Sequence, residues 1–243
     1  MNYTNNISTN ILRDQSVKID YIATPNAKEI FDRMFLHNYG ANKSFNLIGN
    51  YGTGKSTFLW ALEKNLKKEE PFFTNIQGTK NIIDFDFVKV IGSNTSLTSV
   101  LTHELKLKGK VDSELIINTL EQKRKSSKAK GKGLIIIIDE FGKLLEYASN
   151  NKSTDDIYLL QQISEWANND KNETYFIITL HQNFSSYGKN LSSQDKLEWE
   201  KVKGRFVDLV FNEPVEQLIY FASKKLNFAY DLDEISEFYL MYK

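Results

Sequence analysis

Gly49-Asn50-Tyr51-Gly52-Thr53-Gly54-Lys55-Ser56, followed by Thr57, sits between an apolar run, Phe45 to Ile48, and apolar residues at helical spacing, Phe58, Leu59, Leu62 and Leu66. The pattern G-x-x-x-x-G-K-[ST] is met at every fixed position. It requires a strand to pass into a helix through a loop whose glycines let successive N–H groups curl inward around an anion. The helix behind the loop adds its positive end to the same place. Residues Gly49 to Thr57 are therefore expected to hold a nucleoside triphosphate. In that reading Lys55 neutralises the β- and γ-phosphates and the Ser56 hydroxyl is a Mg²⁺ ligand.

A second constraint lies downstream. Leu134 to Ile138 is continuously apolar, as a central strand of a parallel sheet must be, and it ends in Asp139-Glu140. Ligands of parallel α/β sheets sit at the carboxyl ends of strands. Asp139 is expected to hold Mg²⁺, and Glu140 to polarise an attacking water. Three more strand-like runs, Phe85 to Ile91, Tyr175 to Leu180 and Phe206 to Phe211, alternate with helical patterns. Thr24-Pro25 marks a helix start ahead of Ile30, Phe31, Met34 and Phe35, and Leu160, Ile163 and Ala167 mark another helix. Strands alternating with helices predict an α/β fold.

Composition narrows the setting. The 243 residues suit one medium domain, or one domain and part of another, and 41% apolar residues can fill its core. The formal charge is zero, which argues against a dedicated nucleic-acid binder. Lys123 to Gly133 is basic all the same, with Lys123, Arg124, Lys125, Lys128, Lys130 and Lys132. It reads as a helix end and solvated loop, and only weakly as a phosphate-backbone contact. Without cysteine there is no disulfide or thiolate metal site, and a reducing cytoplasm is the simplest home. No apolar run is long enough to span a membrane, and the polar start of the chain is not a signal peptide.

The chain divides by pattern into a flexible arm over 1–20, a nucleotide-binding core over 21–213, and the start of a helical lid over 214–243. The lid shows helical spacing at Val215 to Leu226 and Leu232 to Tyr242. The sequence stops inside that spacing, which reads as a fragment of a larger protein whose further domains or partners lie beyond residue 243.

One strand candidate separates the glycine loop from the acidic strand, and here the sequence resembles the AAA+ branch of P-loop ATPases, with Walker A and Walker B on non-adjacent strands. The resemblance implies a five-stranded parallel sheet of order 5-1-4-3-2 flanked by helices. It also implies a polar sensor after the fourth strand, where Thr179, His181, Gln182 and Asn183 are candidates and His181 and Gln182 are favoured. An arginine finger is implied before the fifth strand, where Arg205 stands. If Arg205 acts in trans the working unit is a homo-oligomer. No arginine follows Arg205, so a second sensor lies beyond the sequence, is replaced by Lys224 or Lys225, or does not exist. Tyr21 to Thr24 occupy the position that packs on adenine in that family, though core packing explains them equally. Asp139-Glu140-Phe141-Gly142-Lys143, Leu180 to Phe184 and Gly204 to Phe206 also resemble large multidomain bacterial ATPases found beside phage-defence genes.

The expected activity is Mg²⁺-dependent ATP hydrolysis driving a switch or motor in a larger assembly. The alternative is a nucleotide-gated scaffold with little hydrolysis. Phosphotransfer ranks below both, because Glu140 follows Asp139 and no acceptor site is recognisable.

Overall fold

The computed structural model describes residues 11–12, 19–36, 42–74, 84–151, 153–169, 173–189, 191–213 and 219. The chain divides into two compact units, Met1–Asn212 and Glu213–Lys243. Apart from Ile219, the helices expected after Pro214, Lys224 and Lys225 with them, lie outside the described residues, as does most of the expected N-terminal arm.

In the first unit the elements run α1 (Pro25–Phe35), β1 (Ser44–Ile48), α2 (Lys55–Leu66), β2 (Asp84–Ile91), α3 (Leu97–Glu104), α4 (Ser113–Ala129) and β3 (Lys132–Asp139). They continue through α5 (Gly142–Asn151), α6 (Thr154–Asn168), β4 (Thr174–Leu180), α7 (Phe184–Tyr187), α8 (Ser193–Lys203) and β5 (Val207–Val210). The strands form one parallel sheet ordered β2-β3-β4-β1-β5, the expected order read from its other edge. β3 is longer than its apolar run because β2 pairs with it from Asp84 opposite Lys132 to Ile91 opposite Asp139. β5 is shorter than expected, with Phe206 and Phe211 flanking it.

Side chains on a strand alternate between faces, so one apolar run serves two cores. Leu134, Ile136 and Ile138 of β3 join Phe176, Ile178 and Leu180 of β4 on the face covered by α3 to α8. Ile135, Ile137 and Ile177 face the other way, with Phe45 and Leu47 of β1, against α1 and α2. Thr24 caps α1 by accepting the Ala27 N–H at 2.9 Å. Tyr21 packs edge-on against Phe72, 5.3 Å between ring centroids, so it serves the core rather than the nucleotide cleft described below.

The basic stretch is mostly helix, since α4 runs through Ala129. Arg124 forks onto Glu121 at 2.6 and 2.7 Å, and Lys132 pairs with Asp84 at 2.7 Å. Lys123 and Lys130 line an open cleft of about 440 Å³ beside the edge strand β2, with Glu63 and Asp86 among them. The Arg124 hydrogen bond, helped by the Trp166 indole N–H, holds the Glu121 carboxyl down at about 2 against an ordinary 4.5. A lowered folded-state value stabilises above the unfolded value and fades as pH falls through the folded one. Arg124→Ala is therefore expected to cost about 1 kcal/mol at pH 7, screening included. That cost shrinks as pH falls from 4.5 towards 2. Urea titrations of both proteins at pH 7 and pH 3 check this.

Candidate active site

The sheet order sets β4 between the strand that feeds the glycine loop and the strand that ends in the acidic pair. The carboxyl ends of β1, β4 and β3 thus meet at one edge. The loop docks there through the Gly49 N–H, which donates to the Leu180 carbonyl at 3.0 Å. Gly52 and Gly54 hold φ of 78° and 94°, left-handed values at which any side chain is strained. Gly49 is required by a close approach instead: a Cβ there would lie 2.3 Å from the Phe211 carbonyl oxygen.

Lys55 starts α2 and is only 5% exposed. Its ammonium donates to the Asn50 carbonyl at 2.8 Å and to that of Gly49, and lies 3.4 Å from His181 Nδ1. Burial lowers its pKa, and the Asp139 and Glu140 carboxylates offset part of that. A largely buried cation resting on neutral carbonyls can exchange them for anionic oxygens.

Ser56 Oγ donates to Asp139 Oδ2 at 2.7 Å, joining the two expected metal ligands. Among the described residues no three His, Cys, Asp or Glu side chains gather as a metal cage. A hydroxyl and a carboxylate are the oxygen donors that suit Mg²⁺, which keeps several waters and takes its remaining ligands from substrate phosphates. The donor set fits the ion.

The other oxygen of Asp139 accepts from Thr179 Oγ1 at 2.6 Å. That hydroxyl, wholly buried on β4, in turn accepts the Glu140 N–H at 2.8 Å. Glu140 holds φ of 54°, a left-handed conformation that costs a non-glycine residue about 1–2 kcal/mol. Its carboxylate forms an ion pair with Lys143. Lys55, Ser56, Thr57, Asp139, Glu140 and His181 line a cleft of about 330 Å³ with Tyr51 and two of the loop glycines.

The favoured sensors part company. His181 lines the cleft under the exposed Tyr51 ring, 3.4 Å between centroids, and burial followed by the Lys55 charge lowers its pKa. Gln182 is exposed and not among the cleft residues, because successive residues leaving a strand point to opposite sides. Asn183 is likewise exposed, ahead of α7. Thr179, the candidate set aside in favour of those two, touches Asp139 directly. Lys143 stands in the sequence only as the end of the Asp139 to Lys143 motif, with no role given to it; its signal is its place three residues after Glu140 at a helix start.

Arg205 lies before β5, which runs parallel to β1 with Val207 opposite Phe45. That is the amino end of the sheet, roughly 13 Å of strand from Gly49. Its guanidinium pairs with Glu165, with Nε at 2.8 Å, and donates to the Lys201 carbonyl. Arg205 is therefore not part of this chain's own cleft. No helix among the described residues is long and apolar enough to cross a membrane.

The same architecture occurs in the ORC2 protein of Aeropyrum pernix. Its ADPNP–ADP complexes match at TM-score 0.53 and 16% identity, over 83% of this chain and 52% of that one. Its ADP form matches at 0.50 and 16%, over 82% and 51%. A Walker-type ATPase of Pyrococcus abyssi matches at 0.48 and 15%, over 93% and 65%. This chain thus spans about half the length of the ORC2 structures, and at such identities the likeness is one of fold. No curated protein matches it. The family described as "ATPase family associated with various cellular activities (AAA)" matches residues 45–200, well over half the sequence, and the chain belongs to that family.

Proposed function

We propose that this chain binds ATP with Mg²⁺ and hydrolyses the γ-phosphate with water. The observation that carries this is the unbroken line Ser56–Asp139–Thr179–Glu140 beside the buried Lys55 ammonium. A phosphate-binding module without turnover has no need of a second, strained carboxylate next to the one at the metal position. Loop amides and Lys55 would hold the triphosphate, while Ser56 and Asp139 would hold the ion. Magnesium, when bound, neutralises phosphate charge and aligns the terminal phosphate for in-line attack. Glu140 would take the hydrogen bond of the attacking water and orient it, with His181 facing the terminal phosphate.

The wider reading is a switch or motor in a larger bacterial assembly. It rests on the bacterial ATPase resemblance, and a phage-defence setting rests on that alone. Arg205, half-buried and away from its own cleft, would serve a neighbouring copy's γ-phosphate after leaving Glu165. Steady-state phosphate release against protein concentration tests both parts. Release is expected to require Mg²⁺, to rise in specific activity with concentration, and to fall at least tenfold in Arg205→Ala. Release no greater than in excess EDTA sinks the hydrolytic reading. A concentration-independent rate, unchanged in Arg205→Ala, sinks the trans contact.

A further inference from the structure

Glu140 is the only carboxylate lining the described cleft that is not tied to Ser56, and Thr179, a sensor candidate that was not favoured, and Lys143, which has no assigned role, hold its two ends. Its backbone is clamped from both sides. In front, Thr179 Oγ1 and Asp139 Oδ1 accept its N–H at 2.8 and 3.0 Å. Behind, Gly92 donates its N–H to the Asp139 carbonyl at 2.7 Å, and a Cβ on Gly92 would come within 2.3 Å of the Glu140 carbonyl oxygen. The Thr179 hydroxyl has one proton and spends it on Asp139 Oδ1 at 2.6 Å, so its lone pair is left for Glu140. One buried hydroxyl thus ties the metal-position carboxylate to the backbone of its neighbour.

The carboxylate end is held by Lys143. Its ammonium pairs with Glu140 Oε2, an oxygen shut off from solvent, which leaves Oε1 to receive a water proton. Lys143 lies in the first turn of α5. A cation there opposes the helix dipole, so helix stability does not account for it. Pairing to Glu140 does.

We infer that Thr179 and Lys143 are positioning residues for Glu140: Thr179 fixes its backbone relative to Asp139, and Lys143 fixes which carboxylate oxygen meets water. A glutamate side chain has three rotatable torsions, and holding both ends restricts it to one approach. The inference rests on the hydrolytic reading above.

The test compares wild type with Thr179→Val, Thr179→Ser, Lys143→Met, Lys143→Arg, Glu140→Gln and the Glu140→Gln/Lys143→Met double variant. It measures kcat, KM, Tm and the Kd of a fluorescent ATP analogue with and without Mg²⁺. Thr179→Val and Lys143→Met are expected to lower kcat about 10- to 100-fold with KM and Kd within about twofold. Thr179→Ser and Lys143→Arg are expected to recover most of the loss. The double variant should turn over no more slowly than Glu140→Gln alone, since Lys143 acts through Glu140. Lys143 is partly exposed, so its arm stands even if Thr179→Val fails to fold. Wild-type turnover with Lys143→Met as fast or faster, or additive losses in the double variant, overturns this inference alone. A wild-type chain with no turnover overturns the hydrolytic reading and this inference with it.

Discussion

Glu140→Gln is expected to reduce ATP turnover about 10²- to 10⁴-fold, the usual span for losing a positioned base, while nucleotide affinity stays within about twofold. Glutamine keeps the size of the side chain and one acceptor oxygen, so the cleft keeps its shape. It cannot take up a proton and it loses the ion pair with Lys143. The backbone contacts to Thr179 and Asp139 involve the main-chain N–H and survive the change. The triphosphate is held by other groups, the loop amides and Lys55, and so binding persists. Phosphate release and fluorescent-nucleotide titration on one preparation separate the two effects. Undiminished release would remove Glu140 from the chemistry.

Lys55→Ala is expected to act on the other quantity, weakening ATP by about 100-fold. A charge-assisted hydrogen bond in a largely buried site contributes about 1.5–3 kcal/mol, and every 1.4 kcal/mol is a factor of ten. Lys55 is the lysine of the glycine loop, and its ammonium already lies against the carbonyls of Gly49 and Asn50. Alanine leaves those carbonyls and the Asp139–Glu140 pair without the cation, so the cleft becomes a net repeller of phosphate. Isothermal titration with ATP and Mg²⁺ checks this. An unaltered affinity would refute the reading of the loop.

The order of the sheet was legible through the family resemblance that the glycine loop and the acidic strand carry, while the apolar run itself marked β3 as a central strand. The ends of elements were less so. β3 gained Lys132 and Gly133 from its pairing with β2, which no apolar run announces. At the site, fixed-spacing motifs pointed to Lys55, Ser56, Asp139 and Glu140, and the structure brings these four to one cleft. Thr179, a sensor candidate that was not favoured, and Lys143, to which no role was given, were undervalued for opposite reasons. A threonine inside an apolar strand looks like filler until the register of β4 against β1 and β3 brings it beside Asp139. A lysine after a glycine looks like solvent-facing charge until the left-handed turn at Glu140 folds α5 back over the carboxylate. Gln182 is exposed and does not line the cleft, since polarity next to a strand end says nothing of the side from which a residue emerges.

The strand that feeds the phosphate loop borders only segments made much later. Ser44 of β1 lies opposite Phe176, and Phe45 opposite Val207. During synthesis the loop therefore leaves the ribosome long before the strands that flank β1 exist, and the nucleotide site is among the last parts of this unit to mature. A nascent chain halted before β4 would carry the whole glycine signature and yet lack the Leu180 carbonyl on which Gly49 docks and the strand that sets it beside Asp139.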